Sequence, residues 1–207
     1  MENFVIAITR TCGSGGTTIG KMLSDDFKIN MYDRELLRLA SDDSGISEAL
    51  FASADETVKK SILYRASKKV YNGELIPPEN NDFTSNDNLF NYQAKVLHEL
   101  AETESYIVIG RCADYILKDN PNVFKIFIHA SDEYCIKHEM ENLSISEKET
   151  IKKIKQLDKY RRGYYYYHTG KEWENVKNYD LSLDTSKLGI EKCVKYIKEY
   201  VKLRMDS

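Results

Sequence analysis

Phe4-Val-Ile-Ala-Ile-Thr-Arg10-Thr-Cys-Gly13-Ser-Gly15-Gly16-Thr17-Thr18-Ile-Gly20-Lys21 decides the fold. An apolar run that reads as a buried strand meets a glycine-rich turn, and two threonines then open an apolar-periodic helix. That order makes a pocket for phosphate, because successive backbone N–H groups converge there and the positive end of the helix macrodipole faces the anion. The usual phosphate-loop spacing is G-x-x-x-x-G-K-[ST]. Aligning Gly13-Ser14-Gly15 with its second half puts Gly16 where the lysine belongs and Thr17 where the magnesium-holding hydroxyl sits. Arg10 takes the place of the first glycine. The cradle of N–H groups survives, with Gly15 and Gly16 free to take positive φ. The mobile cation that follows a transferring phosphoryl group is lost. Lys21 lies about one helical turn beyond the loop. Arg10 is the better substitute, since it leaves the strand where it can reach back over the phosphates. Taken alone, residues 13–16 also read as a plain tight turn; their position straight after a buried strand is what favours phosphate.

The 207 residues suit one domain with enough chain to bury a core. A net charge of −3, spread over a chain that is 30% charged, gives no drive toward nucleic acid or an anionic membrane. Cys12, Cys112, Cys135 and Cys193 are scattered without C-x-x-C spacing. They read as reduced thiols, which suits the cytoplasm. No apolar run approaches the ~20 residues that span a bilayer, and no secretory signal is visible. The expectation is a cytoplasmic protein, monomer or homodimer, with neither membrane nor nucleic acid as partner.

Strand-like and helical runs alternate, the mark of a parallel sheet covered by crossover helices. The strands fall at Phe4–Ile8, a short piece at Ile29–Tyr32, Tyr106–Ile109, Val123–His129 and Tyr179–Leu183. Helices are expected at Thr17–Phe27, near Arg34–Ser41, through much of Ser47–Tyr71, at Leu89–Glu102, behind a Ser131 or Asp132 cap, over Ser146–Tyr167, and from Gly189. Ser146 and Glu149 have capping-box spacing, and Ile190, Val194, Ile197 and Val201 form one apolar stripe. Asn72–Asn88, with Gly73, Pro77 and Pro78, reads as a long loop. The result is a small three-layer α/β domain, a parallel sheet flanked by helices.

The blocks Ile8-Thr9-Arg10, Gly13-Ser-Gly-Gly, Thr18-Ile-Gly20-Lys21 and Tyr32-Asp33-Arg34-Glu35-Leu36 together resemble the cytidylate kinase-like family, a divergent branch of the P-loop nucleoside monophosphate kinases. The match continues through Ile109-Gly110-Arg111 with Asp114-Tyr115, and Phe127-Ile128-His129-Ala130. Asp158-Lys-Tyr-Arg161-Arg162 with Tyr164–Tyr167, Thr169-Gly170-Lys171-Glu172-Trp173, Asn178-Tyr179-Asp180-Leu181 and Asp184-Thr185-Ser186 complete it. Other members of this branch resemble the chain in carrying Arg-x-x-Gly-Ser-Gly-Gly.

The resemblance implies a P-loop nucleoside triphosphate hydrolase-type fold with a helical lid: a core at about 1–33, 104–145 and 178–207, an acceptor-binding helical insert at about 34–103, and the lid at about 146–177. It also implies ATP and Mg²⁺ as cofactors, a pyrimidine monophosphate as acceptor, and defined roles for residues. Gly13, Ser14, Gly15, Gly16, Thr17 and Thr18 would hold the donor phosphates, with Thr17 also on the metal. Arg10, Arg111, Arg161 and Arg162 would surround the transferring group, since guanidinium forks bind phosphate oxygens bidentately. Asp33, Arg34, Arg111 and Asp114 would serve the acceptor. Arg111 matches the arginine of an Asp-Gly-Arg motif whose aspartate is Ile109 here, leaving Asp33 and Asp114 as stand-ins. Residues 152–171 carry seven Lys or Arg against one acid, Asp158. That suits a lid closing on phosphates, and equally a solvated helix face. Tyr164–Tyr167 and Trp173 read mainly as packing. Two rival readings stay open: a non-catalytic nucleotide binder that signals by lid closure, and a kinase of another phosphorylated acceptor chosen by the Asn72–Asn88 loop.

Overall fold

The computed structural model describes residues 3–33, 35–56 (backbone alone for 53–56) and 74–206. Five parallel strands, β1 (Val5–Arg10), β2 (Asn30–Tyr32), β3 (Tyr106–Ile109), β4 (Val123–His129) and β5 (Leu181–Asp184), lie in the order β2-β3-β1-β4-β5. The β1 run is apolar from Val5 to Ile8 because a central parallel strand is buried on both faces.

Side chains alternate across the sheet. Val5, Ala7, Tyr106 and Val108 point to one face, where α2 (Glu35–Ser44), α3 (Glu48–Glu56) and α4 (Asn86–Thr103) supply Leu36, Phe51 and Leu97. Ile6, Ile8, Ile107, Ile109 and Ile126 point to the other, against Ile19 and Leu23 of α1 (Gly16–Phe27) and Ile197 of α9 (Ile190–Met205). A third cluster, containing Phe90, Phe127, Tyr165, Trp173 and Tyr179, lies under the long helix α7 (Glu147–Thr169). The shorter helices are α5 (Ala113–Ile116), α6 (Asp132–Leu143) and α8 (Thr185–Leu188).

Register positions the site. β1 pairs with β3 from Val5↔Tyr106 to Ile8↔Ile109 and with β4 two residues further, to Arg10↔Ile128. Beyond Ile8 the central strand therefore stays with β4 and leaves β3. The gap opens at the carboxyl edge, where open α/β sheets bind ligands.

Most expected elements are present, with shifted ends. β1 runs on to Arg10 because Thr9 and Arg10 keep pairing with β4. β5 begins at Leu181, since Tyr179 turns inward and its hydroxyl donates to the Trp173 carbonyl (2.6 Å). α7 carries the complete Ser146–Glu149 capping box. α4 starts at Asn86, inside the expected loop, because Ser85 caps it. Asn88 then fastens residues 74–85 to that helix, accepting from Ile76 N–H (2.8 Å) and donating to the Phe83 carbonyl (2.7 Å). The helix expected through Tyr71 is seen as Glu48–Glu56, and its remainder lies outside the described residues.

The two-sided core carries a direct consequence. Ile126 is fully buried, whereas Leu203 on α9 is 67% exposed. Ile126→Ala is expected to lower unfolding stability by about 2–5 kcal/mol and Leu203→Ala by less than about 0.5 kcal/mol, measured by urea denaturation. Equal losses would contradict this core.

Candidate active site

The phosphate loop follows β1 directly. Gly13 and Gly15 both have φ near +81°, the left-handed region that favours glycine. A Cβ on Gly13 would lie 2.6 Å from the Cys135 carbonyl oxygen, so no side chain fits there. Gly16 corrects the expectation drawn from sequence: it is the first residue of α1, outside the positive-φ set. It is glycine for space. A Cβ on Gly16 would sit 2.5 Å from Arg10 Cβ, and one on Gly110 would sit 2.5 Å from Arg10 Nη1. The Arg10 stem thus passes over Gly16 and its guanidinium over Gly110. The room in which a loop lysine would start is filled by Arg10.

Burial and the nearby Arg161 charge lower the Arg10 pKa to about 9, with Asp33 opposing them. It remains charged at neutral pH. Asp33, at the end of β2, lies 3.9 Å from Arg10 and 3.8 Å from Arg111. Arg111 is aimed by an unusual backbone: Gly110, Arg111 and Cys112 have φ of 74°, 62° and 54°. Two successive non-glycine residues in this region cost on the order of 1 kcal/mol each.

The lid helix is tied to the loop. Cys12 N–H donates to both oxygens of Asp158 (2.9 and 3.2 Å). Arg161 Nη1 in turn donates to Asp158 Oδ1 (3.0 Å) and the Arg10 carbonyl (3.4 Å). Burial raises the Asp158 pKa against the pull of these donors. The guanidiniums of Arg10, Arg111 and Arg161 all line one cleft of about 580 Å³. Such a concentration of buried positive charge favours a polyanion.

Thr17 and Thr18 are exposed on the cleft at the start of α1. Ser14 lies beneath it, fully buried, its hydroxyl donating to the Thr11 carbonyl (2.8 Å) and the Ile128 carbonyl (3.2 Å). Arg162 is not among the lining residues; it forms a two-bond pair with Glu174 (2.9 and 2.8 Å) and lies 5.8 Å from the Trp173 ring. Asp114 is also absent from the lining: it is buried and accepts from the Tyr165 hydroxyl (2.6 Å). Of the two expected stand-ins, only Asp33 reaches the cleft. Arg34 lies outside the described residues. Burial pushes the Cys12 thiol to about 11 and raises the Cys112 thiol well above its ordinary value, so both are poor nucleophiles.

Several lining residues were not anticipated. α7 contributes Lys153, Leu157 and Tyr160 beside the expected Arg161, one face at helical spacing. α6 contributes His138, Glu139 and Asn142, with His138 Nδ1 2.9 Å from the Gly13 carbonyl oxygen. Leu37, Glu48 and Ala52 of α2 and α3 also line the cleft, whereas none of residues 74–85 does. Among the described residues, no group of three or more His, Cys, Asp or Glu is arranged for a metal ion. An exposed Thr17 hydroxyl without a protein cage fits Mg²⁺ that arrives on a nucleotide's phosphates. No described helix is long and apolar enough to cross a membrane.

A family model for the cytidylate kinase-like family matches residues 5–187. The cytidylate kinase of Fervidobacterium nodosum is 25% identical over 227 residues, covering 96% of each chain. Among solved structures, an uncharacterized protein from Eubacterium ventriosum is 24% identical, with a TM-score of 0.70 over 97% of this chain and 99% of that one. Shikimate kinase from Bacteroides thetaiotaomicron shares the fold at 15% identity and a TM-score of 0.53, covering 96% of this chain and 98% of its own.

Buried Asp114 gives the site a pH signature. Burial, resisted by the Tyr165 hydroxyl, raises its pKa from 3.8 to about 6. Between those values the unfolded chain binds fewer protons than the folded one, so stability falls as pH rises from about 4 to about 6 and is level above. The cost is on the order of 3 kcal/mol. Asp114→Asn keeps an acceptor for Tyr165 without the charge. Urea denaturation should show it more stable than the parent at pH 8, with the difference shrinking below pH 5. A difference independent of pH would contradict the assignment.

Proposed function

The chain belongs to the cytidylate kinase-like family, and on that premise we propose that it moves the γ-phosphoryl group of ATP to a pyrimidine monophosphate of the CMP or dCMP type. The observation that carries this reading is Arg10, whose stem fills the room at Gly16 where a loop lysine would start and whose guanidinium lies over Gly110 on the cleft wall. A buried cation therefore stands beside a phosphate loop that lacks its lysine.

On this reading each part has a physical task. The N–H groups of residues 13–18 and the N-terminus of α1 bind the donor phosphates. Thr17 would hold Mg²⁺, which would supply neutralisation of phosphate charge and polarisation of the transferring phosphoryl group. Arg10, Arg111 and Arg161 stabilise charge on the phosphoryl group in flight, and require no covalent intermediate. Asp33 orients Arg10 and Arg111 from one side (3.9 and 3.8 Å). Arg111 serves the acceptor phosphate. Asp158 holds the lid helix on the loop, which excludes water. The lid is built on α7, and the acceptor end on α2 and α3.

One observation favours a second reading, a kinase of another phosphorylated acceptor. The acceptor end is formed by Leu37, Glu48 and Ala52, a mixture that suits a hydroxylated acceptor as readily as a base.

ADP release from ATP and Mg²⁺ should accelerate with CMP, dCMP or UMP and fall about 100-fold or more in Arg111→Asn, a change that tolerates the left-handed backbone. Acceleration only by other phosphorylated acceptors supports the second reading. ATP binding without acceptor-dependent turnover would contradict both.

A further inference from the structure

Arg10 cannot do everything a loop lysine does. Its stem is pinned between two glycine positions that leave no space for a Cβ, and its head is held over Gly110. A fixed guanidinium stabilises one arrangement of charge, whereas the usual lysine is a mobile point charge that reaches the β- and γ-phosphates. The cleft contains another cation with that mobility. Lys153 stands on the α7 face that also presents Leu157, Tyr160, Arg161 and Tyr164, and its side chain is 39% exposed.

Its ion pair with Glu139 is weak. Lys153 Nζ lies 3.4 Å from Glu139 Oε2, an ion pair between α7 and α6 at the cleft wall. A half-exposed pair of this length contributes little to stability and is readily exchanged for a better anion. Glu139 is the more buried of the two, at 17% exposed, so its carboxylate is held and the lysine is the partner that moves. Both charges act on the Cys12 thiol, Glu139 raising its pKa and Lys153 lowering it. Both line the same cleft as Cys12, Gly13 and Thr17.

We propose that Lys153 is a mobile catalytic cation for the terminal phosphates of the donor nucleotide, parked on Glu139 until the nucleotide displaces it. The work of one loop lysine is then divided between the fixed Arg10 and a lysine supplied by the lid helix. Glu139 is a positioning residue that competes with phosphate for the lysine. The inference rests on the phosphate-loop reading above and deepens it.

The test is calorimetric binding of ATP and AMP, each with Mg²⁺, to the parent, Lys153→Met, Lys153→Arg, Glu139→Gln and the Glu139→Gln/Lys153→Met double variant. One charge-assisted contact to a terminal phosphate corresponds to about 10-fold or more in affinity. Lys153→Met should weaken ATP about 10-fold and leave AMP unchanged, and Lys153→Arg should retain most of the ATP affinity. Glu139→Gln should tighten ATP, and that gain should vanish in the double variant. ATP affinity unchanged in Lys153→Met, or ATP and AMP weakened alike, would overturn the proposal while leaving the phosphate loop intact. A parent that binds neither nucleotide would overturn the phosphate-loop reading and this one with it. Thermal unfolding of each variant separates a lost contact from a lost fold.

Discussion

The Arg10 side chain sets the terms for the rest of the site. It leaves the end of the central strand and crosses two backbones that approach too closely for any Cβ, those of Gly16 and Gly110. This one placement couples the start of α1 to the turn after β3. It also explains why both positions are glycine for reasons of room. Asp33 and Arg161 then follow from the buried charge. A guanidinium there is driven toward neutrality by burial and by Arg161, and Asp33 opposes that drive. A bound polyphosphate would do so more strongly.

A second constraint joins the lid to the loop. Asp158 takes the Cys12 N–H, a donor that a phosphate loop would otherwise leave facing the cleft, and holds Arg161 in the same gesture. Lid position and loop shape are consequently one variable. Motion of α7 away from the sheet would uncover Cys12 N–H and a buried carboxylate together, at a cost of several hydrogen bonds. The buried Tyr165–Asp114 bond fixes the far part of the same helix to α5. The helix that carries Arg161 and Lys153 is thus fastened at two points.

The sequence made the strand, loop and first helix legible because each carries its own local signal: a doubly buried apolar run, glycines, and an apolar period. Arg10 and Asp33 were legible for the same reason, since strand ends at a parallel sheet's carboxyl edge converge whatever the loops do. The role of Gly16 was not, because its constraint is the stem of a residue six positions earlier. Arg161 and Arg162 look alike in sequence; neighbours on a helix point about 100° apart, and only the buried face of α7 decides that the first enters the cleft. Asp114 was misplaced by three successive left-handed residues, two of them Arg111 and Cys112, which no propensity announces. His138 and Glu139 reach the site only through packing of α6 on α7, a tertiary fact without a local pattern.

Whether Arg10 stands in for the loop lysine can be decided by moving the cation back. ATP affinity with Mg²⁺ would be measured for Arg10→Gly, Gly16→Lys and the double variant, with circular dichroism confirming each fold. Arg10→Gly should lose at least about 10-fold. Gly16→Lys alone should also fail, because its Cβ meets the Arg10 stem. The double variant, which restores the usual loop with its space cleared, should recover much of the affinity. An Arg10→Gly protein that binds ATP as the parent does would contradict the account.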